Sequence, residues 1–247
     1  MTGKVKDLFR LEGKTVLITG ASSGLGQACA VAASKAGARL ILSGRDEEKL
    51  AHTHKLLSGG EHRIVPADQT DPVQLNTLAD ECTELDGVVH SAGIHGVAPA
   101  HLVQRKFLTH VLDTNYIAPI LLTQRLLFRK KIRSGSSIVF MSSIAAKAGT
   151  AGVGPYSGSK AALIGSMRPL ALEVAKHKIR VNALCPGIVK TPLFAGNDAW
   201  LSDNEKSYPL GLGEPEDVAH ACLFFLSDAS RMITGTAFSL DGGVPFV

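Results

Sequence analysis

Tyr156 and Lys160 stand four residues apart in Tyr156-Ser157-Gly158-Ser159-Lys160, which puts both on one face of a helix. A phenol with an ordinary pKa of about 10 exchanges protons poorly at neutral pH unless a nearby cation stabilises its anion. Lys160 is such a cation. Ser143 lies thirteen residues before the tyrosine, just past the apolar run Ile138-Val139-Phe140-Met141, where a hydroxyl can hydrogen-bond a substrate oxygen. The three groups suit proton transfer to or from an oxygen. By itself the Tyr-x-x-x-Lys spacing equally describes an ordinary helix-surface pair.

A second set of residues suits an anion. The apolar run Val16-Leu17-Ile18 leads into Thr19-Gly20-Ala21-Ser22-Ser23-Gly24-Leu25-Gly26, followed by a helical pattern. Glycines there let the backbone turn tightly and approach a pyrophosphate, whose charge is stabilised by free N–H groups at the helix N-terminus. The candidate contacts are Gly20, Ser22, Ser23, Gly24, Leu25 and Gly26, although a strand-turn-helix corner favours glycine anyway. At the end of the second strand, Ser43-Gly44-Arg45 offers no acidic residue before Asp46 to read a ribose 2′-hydroxyl. Arg45 is either a 2′-phosphate ligand or a solvated arginine, and the first reading favours NADP over NAD. Asp68, with Gln69 beside it, either meets the adenine or forms a turn.

The elements that position these groups alternate along the chain. Strands are expected at 15–19, 39–43, 63–65, 87–90, 137–141, 180–184 and 237–240. Helices are expected at 24–36, 46–57, 72–82, an interrupted stretch over 102–133, 156–177 and 215–226. Continuous apolar strands separated by helices predict a Rossmann-like α/β fold: a doubly wound, mostly parallel seven-stranded sheet with helices on both faces. Pro169 predicts a kink after Gly165. Residues 192–214 have weak periodicity but carry Phe194, Trp200, Leu201 and Tyr208, which reads as a substrate lid. No linker splits the chain, so residues 14–247 are expected to form one domain behind an N-terminal extension, 1–13.

Composition limits the function classes. With 45 % hydrophobic and 19 % charged residues among 247, the chain has the apolar mass for a core. A net charge of +4 with no long like-charge block does not suggest nucleic acid, and no apolar run approaches a membrane span. Arg129-Lys130-Lys131 with Arg133 reads as cations at a helix C-terminus. The four dispersed cysteines predict buried free thiols in a cytoplasmic protein. His52 and His54, two apart on a helix, cannot pair on a metal, and no metal site is expected.

In this order the motifs resemble the short-chain dehydrogenase/reductase family over nearly the whole chain. Further matches are Asn115 in Asp113-Thr114-Asn115-Tyr116, Ile179-Arg180-Val181-Asn182 followed by Pro186-Gly187, Thr191-Pro192, Pro215-Glu216-Asp217-Val218-Ala219 and Asp241-Gly242-Gly243. The resemblance implies that Tyr156 is the general acid/base and that Ser143 orients a carbonyl. Lys160 would lower the tyrosine pKa and hold the nicotinamide ribose, while Asn115 anchors a water leading to Lys160. Pro186, Gly187, Ile188 and Thr191 would border the nicotinamide, with Ile188 and Thr191 at its carboxamide. His90-Ser91-Ala92-Gly93 stands where the family has Asn-Asn-Ala-Gly, so Ser91, Ala92 and Gly93 still admit the cofactor ribose but lack asparagine contacts. A homodimer or homotetramer is also implied, built on the Tyr156 helix and the long one before it.

The expected activity is interconversion of a ketone and a secondary alcohol with NADP(H). His95, Ala145, Phe194 and Trp200 are candidate substrate contacts beside Ser143 and Tyr156, within an apolar wall that includes Ile94, Ile144, Val153, Ile188 and Tyr208. A 3-oxoacyl thioester on an acyl carrier protein is the alternative substrate. A catalytically silent cofactor-binding sensor is the non-enzyme alternative, which the complete Ser143, Tyr156 and Lys160 set disfavours.

Overall fold

The computed structural model describes residues 8–192 and 196–244. Seven strands form one sheet in the order β3-β2-β1-β4-β5-β6-β7, with all recorded pairs parallel. They are β1 (Thr15–Thr19), β2 (Arg39–Ser43), β3 (Arg63–Ile64), β4 (Leu85–His90), β5 (Ile132–Met141), β6 (Arg180–Pro186) and β7 (Ala237–Leu240). The crossover helices are α1 (Gly24–Lys35), α2 (Glu47–Lys55), α3 (Pro72–Glu81), α4 (Arg105–Leu112), α5 (Ala118–Phe128), α6 (Gly154–Val174) and α8 (Pro215–Leu226), with α7 (Asp198–Glu205) between β6 and α8.

Alternation along the strands divides the core in two. Leu17, Val88, Ile138 and Phe140 pack with Leu78, Leu122, Leu163 and Met167 under α3, α5 and α6. Val16, Ile18, Val89, Val139 and Met141 face the other way, against Ala30, Leu50, Cys222 and Phe225 under α1, α2 and α8. Both faces of the central strands are therefore covered, which is why they are apolar without interruption. All four cysteines are buried and free. The nearby Cys29 thiol on α1, together with burial, holds the Cys222 thiol on α8 well above its ordinary pKa.

Several boundaries differ from expectation. β5 starts at Ile132, where Leu85 pairs with it across a register shift; Arg133 is thus a strand residue, not the end of a helix. Ser134, Gly135 and Ser136 hide this half because they lack an apolar pattern. The 102–133 stretch divides into α4, a π-helical turn at Asp113–Ile117 and α5. Helix α7 occupies part of the segment expected to be loop. Helix α6 continues through Pro169, and both Pro169 and Gly165, whose carbonyl loses its helical partner there, are exposed. Leu11 is fully buried and its N–H donates to Ala36 O, so the core extends into the expected N-terminal extension.

His90, at the end of β4, is 2 % exposed and stacks on Phe140 at 4.9 Å. The Thr123 hydroxyl donates to Pro119 O at 2.8 Å, so the His90 Nε2–H donates to Thr123, also at 2.8 Å. His90 Nδ1 has no partner among the described residues. Burial pulls its pKa from 6.5 to about 3, so His90 is neutral when folded. The unfolded chain takes up this proton first, and stability therefore falls as pH drops from 6.5 toward 3. We expect folding free energy by urea titration to be about 2 kcal/mol lower at pH 5 than at pH 8, and His90→Asn to remove most of that difference.

Candidate active site

The carboxyl ends of the central strands open into a cavity of about 1030 Å³. It lies where the chain, having wound outward through β2 and β3, crosses back to β4 beside β1, the switch point at which open α/β sheets bind ligands. At its floor Gly20 has φ +65°, and a Cβ there would come within 2.6 Å of Ala92 N. A Cβ on Gly26 would stand 2.2 Å from Gly20 O. The two glycines let the β1–α1 turn close against itself and against the loop after β4. Ser23 makes no side-chain cap bond and the first turn of α1 carries no acidic residue, leaving that helix end suited to an anion.

Gly20, Ser22, Ser23, Gly24, Leu25 and Gly26 all line the cavity, as do Arg45, Asp68, Gln69, Ser91, Ala92 and Gly93. Ser43 does not: as the last residue of β2 it is fully buried, and its carbonyl accepts from Ala21 N. Asp68 is a turn former, since its Oδ1 accepts from Thr70 N at 2.9 Å and Thr70 Oγ1 at 2.7 Å. Those bonds, with the nearby Arg45 charge, hold its carboxyl below the ordinary range against a smaller effect of burial. Pro186, Gly187, Ile188 and Thr191 line it too, Thr191 lying beside Gly24.

Ser143, Tyr156 and Lys160 line the same cavity. Helix α6 places the last two one turn apart, and the end of β5 supplies the serine. Lys160 is 5 % exposed; its Nζ donates to Met141 O at 2.9 Å and stands 5.7 Å from the Tyr156 ring centroid. Burial lowers its pKa to about 8, which leaves it largely charged at neutral pH. Burial also raises the Tyr156 phenol, opposed by a hydrogen bond with Ser143. The phenol is therefore protonated at neutral pH, its pKa standing above the ordinary value rather than lowered as expected from Lys160.

Asn115 lies outside the cavity wall and is 1 % exposed. The π-helical turn rotates its amide toward the loop after β4, where Oδ1 accepts from Ile94 N at 2.8 Å and Nδ2 donates to Ile94 O at 2.9 Å and Ser159 Oγ at 3.0 Å. It thus ties that loop to α6. Next along the loop, His95 packs on the Tyr156 ring at a centroid distance of 4.7 Å, and burial lowers its pKa. Ala145 and the half-exposed Trp200 line the same end, while Phe194 lies outside the described residues. Val97, His110, Thr150, Asn204 and Ser207 also reach the cavity. No motif marked them, because each comes from a loop or helix flank with no pattern of its own.

Comparison with known proteins agrees with this geometry. A family model described as enoyl-(acyl carrier protein) reductase matches residues 20–245. The chain belongs to the short-chain dehydrogenase/reductase family. The 3-oxoacyl-acyl-carrier-protein reductase FabG of Rickettsia conorii is 35% identical over 242 residues, covering 97% of this chain and 100% of the relative. A glucose 1-dehydrogenase from Gluconobacter oxydans is 33% identical over 260 residues, covering 99% of this chain and 96% of the relative. A crystal structure of a short-chain type dehydrogenase/reductase from Mycobacterium marinum superposes with TM-score 0.89 at 30% identity, covering 97% of this chain and 98% of that one.

This short-chain dehydrogenase/reductase is an oxidoreductase whose family binds a nicotinamide dinucleotide. The residues present fit such a group: the turn without Cβ atoms, the open end of α1 and the buried Lys160 lie along a single cavity. Among the described residues no cluster of three or more His, Cys, Asp or Glu side chains is placed to hold a metal, and no helix is long and apolar enough to cross a membrane. Gly26→Ala forces a methyl group into the Gly20 carbonyl and is expected to lower stability by about 1–3 kcal/mol in urea titration. Gly158→Ala, with nothing within 4 Å of its Cβ in α6, is the control and is expected to raise stability by about 0.5–1 kcal/mol.

Proposed function

We propose that this protein is an NADP(H)-preferring reductase and dehydrogenase that interconverts a ketone and a secondary alcohol. The observation that carries the reading is the meeting of Ser143, Tyr156 and Lys160 at the wall of the same cavity as the glycine turn and Arg45. When bound, NADP(H) supplies or accepts the hydride. Tyr156 gives its proton to the carbonyl oxygen in reduction and takes it back in oxidation. Burial keeps the phenol in the protonated form that reduction needs. The Ser143 hydroxyl, near enough to the phenol to lower its pKa, is placed to orient the same oxygen. Lys160 stabilises the phenolate left after transfer and offers its ammonium to ribose hydroxyls. Asn115 supports the set by fixing the loop after β4 against α6.

Arg45 stands at the far wall with its charge near Asp68 and is assigned the 2′-phosphate. The substrate end is lined by Ile94, His95, Ile144, Ala145, Val153 and Trp200, which suits a ketone with an apolar body. A 3-oxoacyl thioester is the second reading, favoured by full-length similarity to the Rickettsia reductase. We place the enzyme in the cytoplasm, acting as a homodimer or homotetramer.

A panel of ketones and 3-oxoacyl thioesters, read by NADPH absorbance, separates these substrates. Tyr156→Phe is expected to lower turnover by about 10²- to 10⁴-fold, and activity within a few-fold of wild type would remove Tyr156 from the acid/base role. Arg45→Ala is expected to weaken NADPH by about 10-fold or more with little change for NADH, whereas equal losses would show that Arg45 does not read the phosphate.

A further inference from the structure

The segment after α7 is fastened to the cavity wall at the backbone of Ile188 and Lys190. Tyr208 is 8 % exposed, and its hydroxyl accepts a hydrogen bond from Ile188 N at 3.1 Å. Five residues later, Gly213 N donates to Ile188 O at 3.1 Å, and Lys190 N donates to Gly213 O at 2.9 Å. Both polar atoms of the Ile188 backbone are therefore held by the 208–213 segment. The phenol ring lies over Gly187 so closely that a Cβ at that position would stand 2.9 Å from Tyr208 Cε1. Tyr208 N in turn donates to Glu205 O at 3.0 Å, which joins the bond at Ile188 to the end of α7.

Gly187 and Ile188 lack regular secondary structure beyond β6, and their peptide N–H groups need partners that a strand would otherwise supply. Gly187 N donates to Leu240 O at 2.8 Å, so Tyr208 supplies the next bond along the chain. Of the aromatic residues on this segment, Trp200 is 46 % exposed, whereas Tyr208 is packed inside it. An apolar residue in place of Tyr208 could fill the space but could not accept the amide.

We propose that Tyr208 is a positioning residue: its hydroxyl locks the Gly187–Ile188 turn to the α7 segment and so fixes the cavity wall against which the nicotinamide half of the cofactor binds. This inference rests on the dinucleotide reading above. It distinguishes Tyr208 from an ordinary packing residue because only one half of the cofactor depends on it. The adenosine half meets the β1–α1 turn and Arg45, which Tyr208 does not touch.

The test is Tyr208→Phe in the full chain, which keeps the ring over Gly187 and removes only the hydroxyl. Hydrogen–deuterium exchange without ligand is expected to quicken by about 10-fold in the peptide carrying Ile188, with global unfolding unchanged. Fluorescence titration is expected to show NADPH weakened by about 5- to 10-fold, while adenosine 2′,5′-bisphosphate binds within twofold of its wild-type affinity. Unchanged exchange at Ile188, or equal weakening of both ligands, overturns the proposal. If the wild-type protein binds neither ligand, the cofactor reading itself falls and the inference falls with it; that outcome is recognised in the wild type rather than in the variant.

Discussion

A charged ammonium removed from water is the costly object around which this site is arranged. Lys160 is almost fully buried, and its Nζ donates to the Met141 carbonyl at the end of β5. An isolated buried charge loses several kcal/mol of solvation, so its surroundings must compensate with oriented dipoles or with a ligand's oxygens. The neighbouring geometry follows from that need. The Ser142 hydroxyl holds the Lys160 carbonyl, which seats α6 on β5. Gly93 leaves room for the ammonium, since a Cβ there would stand 3.2 Å from both Lys160 Nζ and Asn115 Oδ1. Asn115 then reaches past it to clasp Ile94. One buried cation thus links β5, α6, the loop after β4 and the π-helical turn.

The parallel sheet makes this convergence possible. Each crossover delivers a new loop to the carboxyl edge, and the change of winding direction between β1 and β4 leaves a crevice there. The crevice is lined by backbone without side chains at Gly20 and Gly26 and by Ser143, Tyr156 and Lys160. A single cavity serves both because the core beneath is continuous and covered on both faces. Pairing a tightly built floor with a wall drawn from loops lets a family keep one chemistry while varying what it acts on.

Local signals made much of this readable from residues alone. Val16-Leu17-Ile18 followed by spaced glycines specifies a strand, a turn and a helix within twelve positions of one another, and Tyr156 and Lys160 declare their shared face by spacing. Features that depend on distant partners left no such trace. Tyr208 reads as an apolar lid residue because its bond to Ile188 spans twenty positions. Helix α7 is short and its mixture of Asp198, Ser202 and Asn204 has weak periodicity. Ser43 stands at the right place in the chain for a cofactor contact, yet its side chain turns into the protein. His90 reads as a polar departure from the family pattern, whereas its ring is a core element stacked on Phe140.

The central claim is that this cavity brings a hydride carrier and a carbonyl together over Tyr156. It is tested most directly by following a label through one turnover. With NADPH carrying deuterium at C4 and a ketone or 3-oxoacyl thioester that the wild-type enzyme reduces, mass spectrometry should find the deuterium on the new carbinol carbon of the product. A carbinol hydrogen drawn from solvent, or no reduction of any such carbonyl by folded enzyme with bound NADPH, would contradict the account.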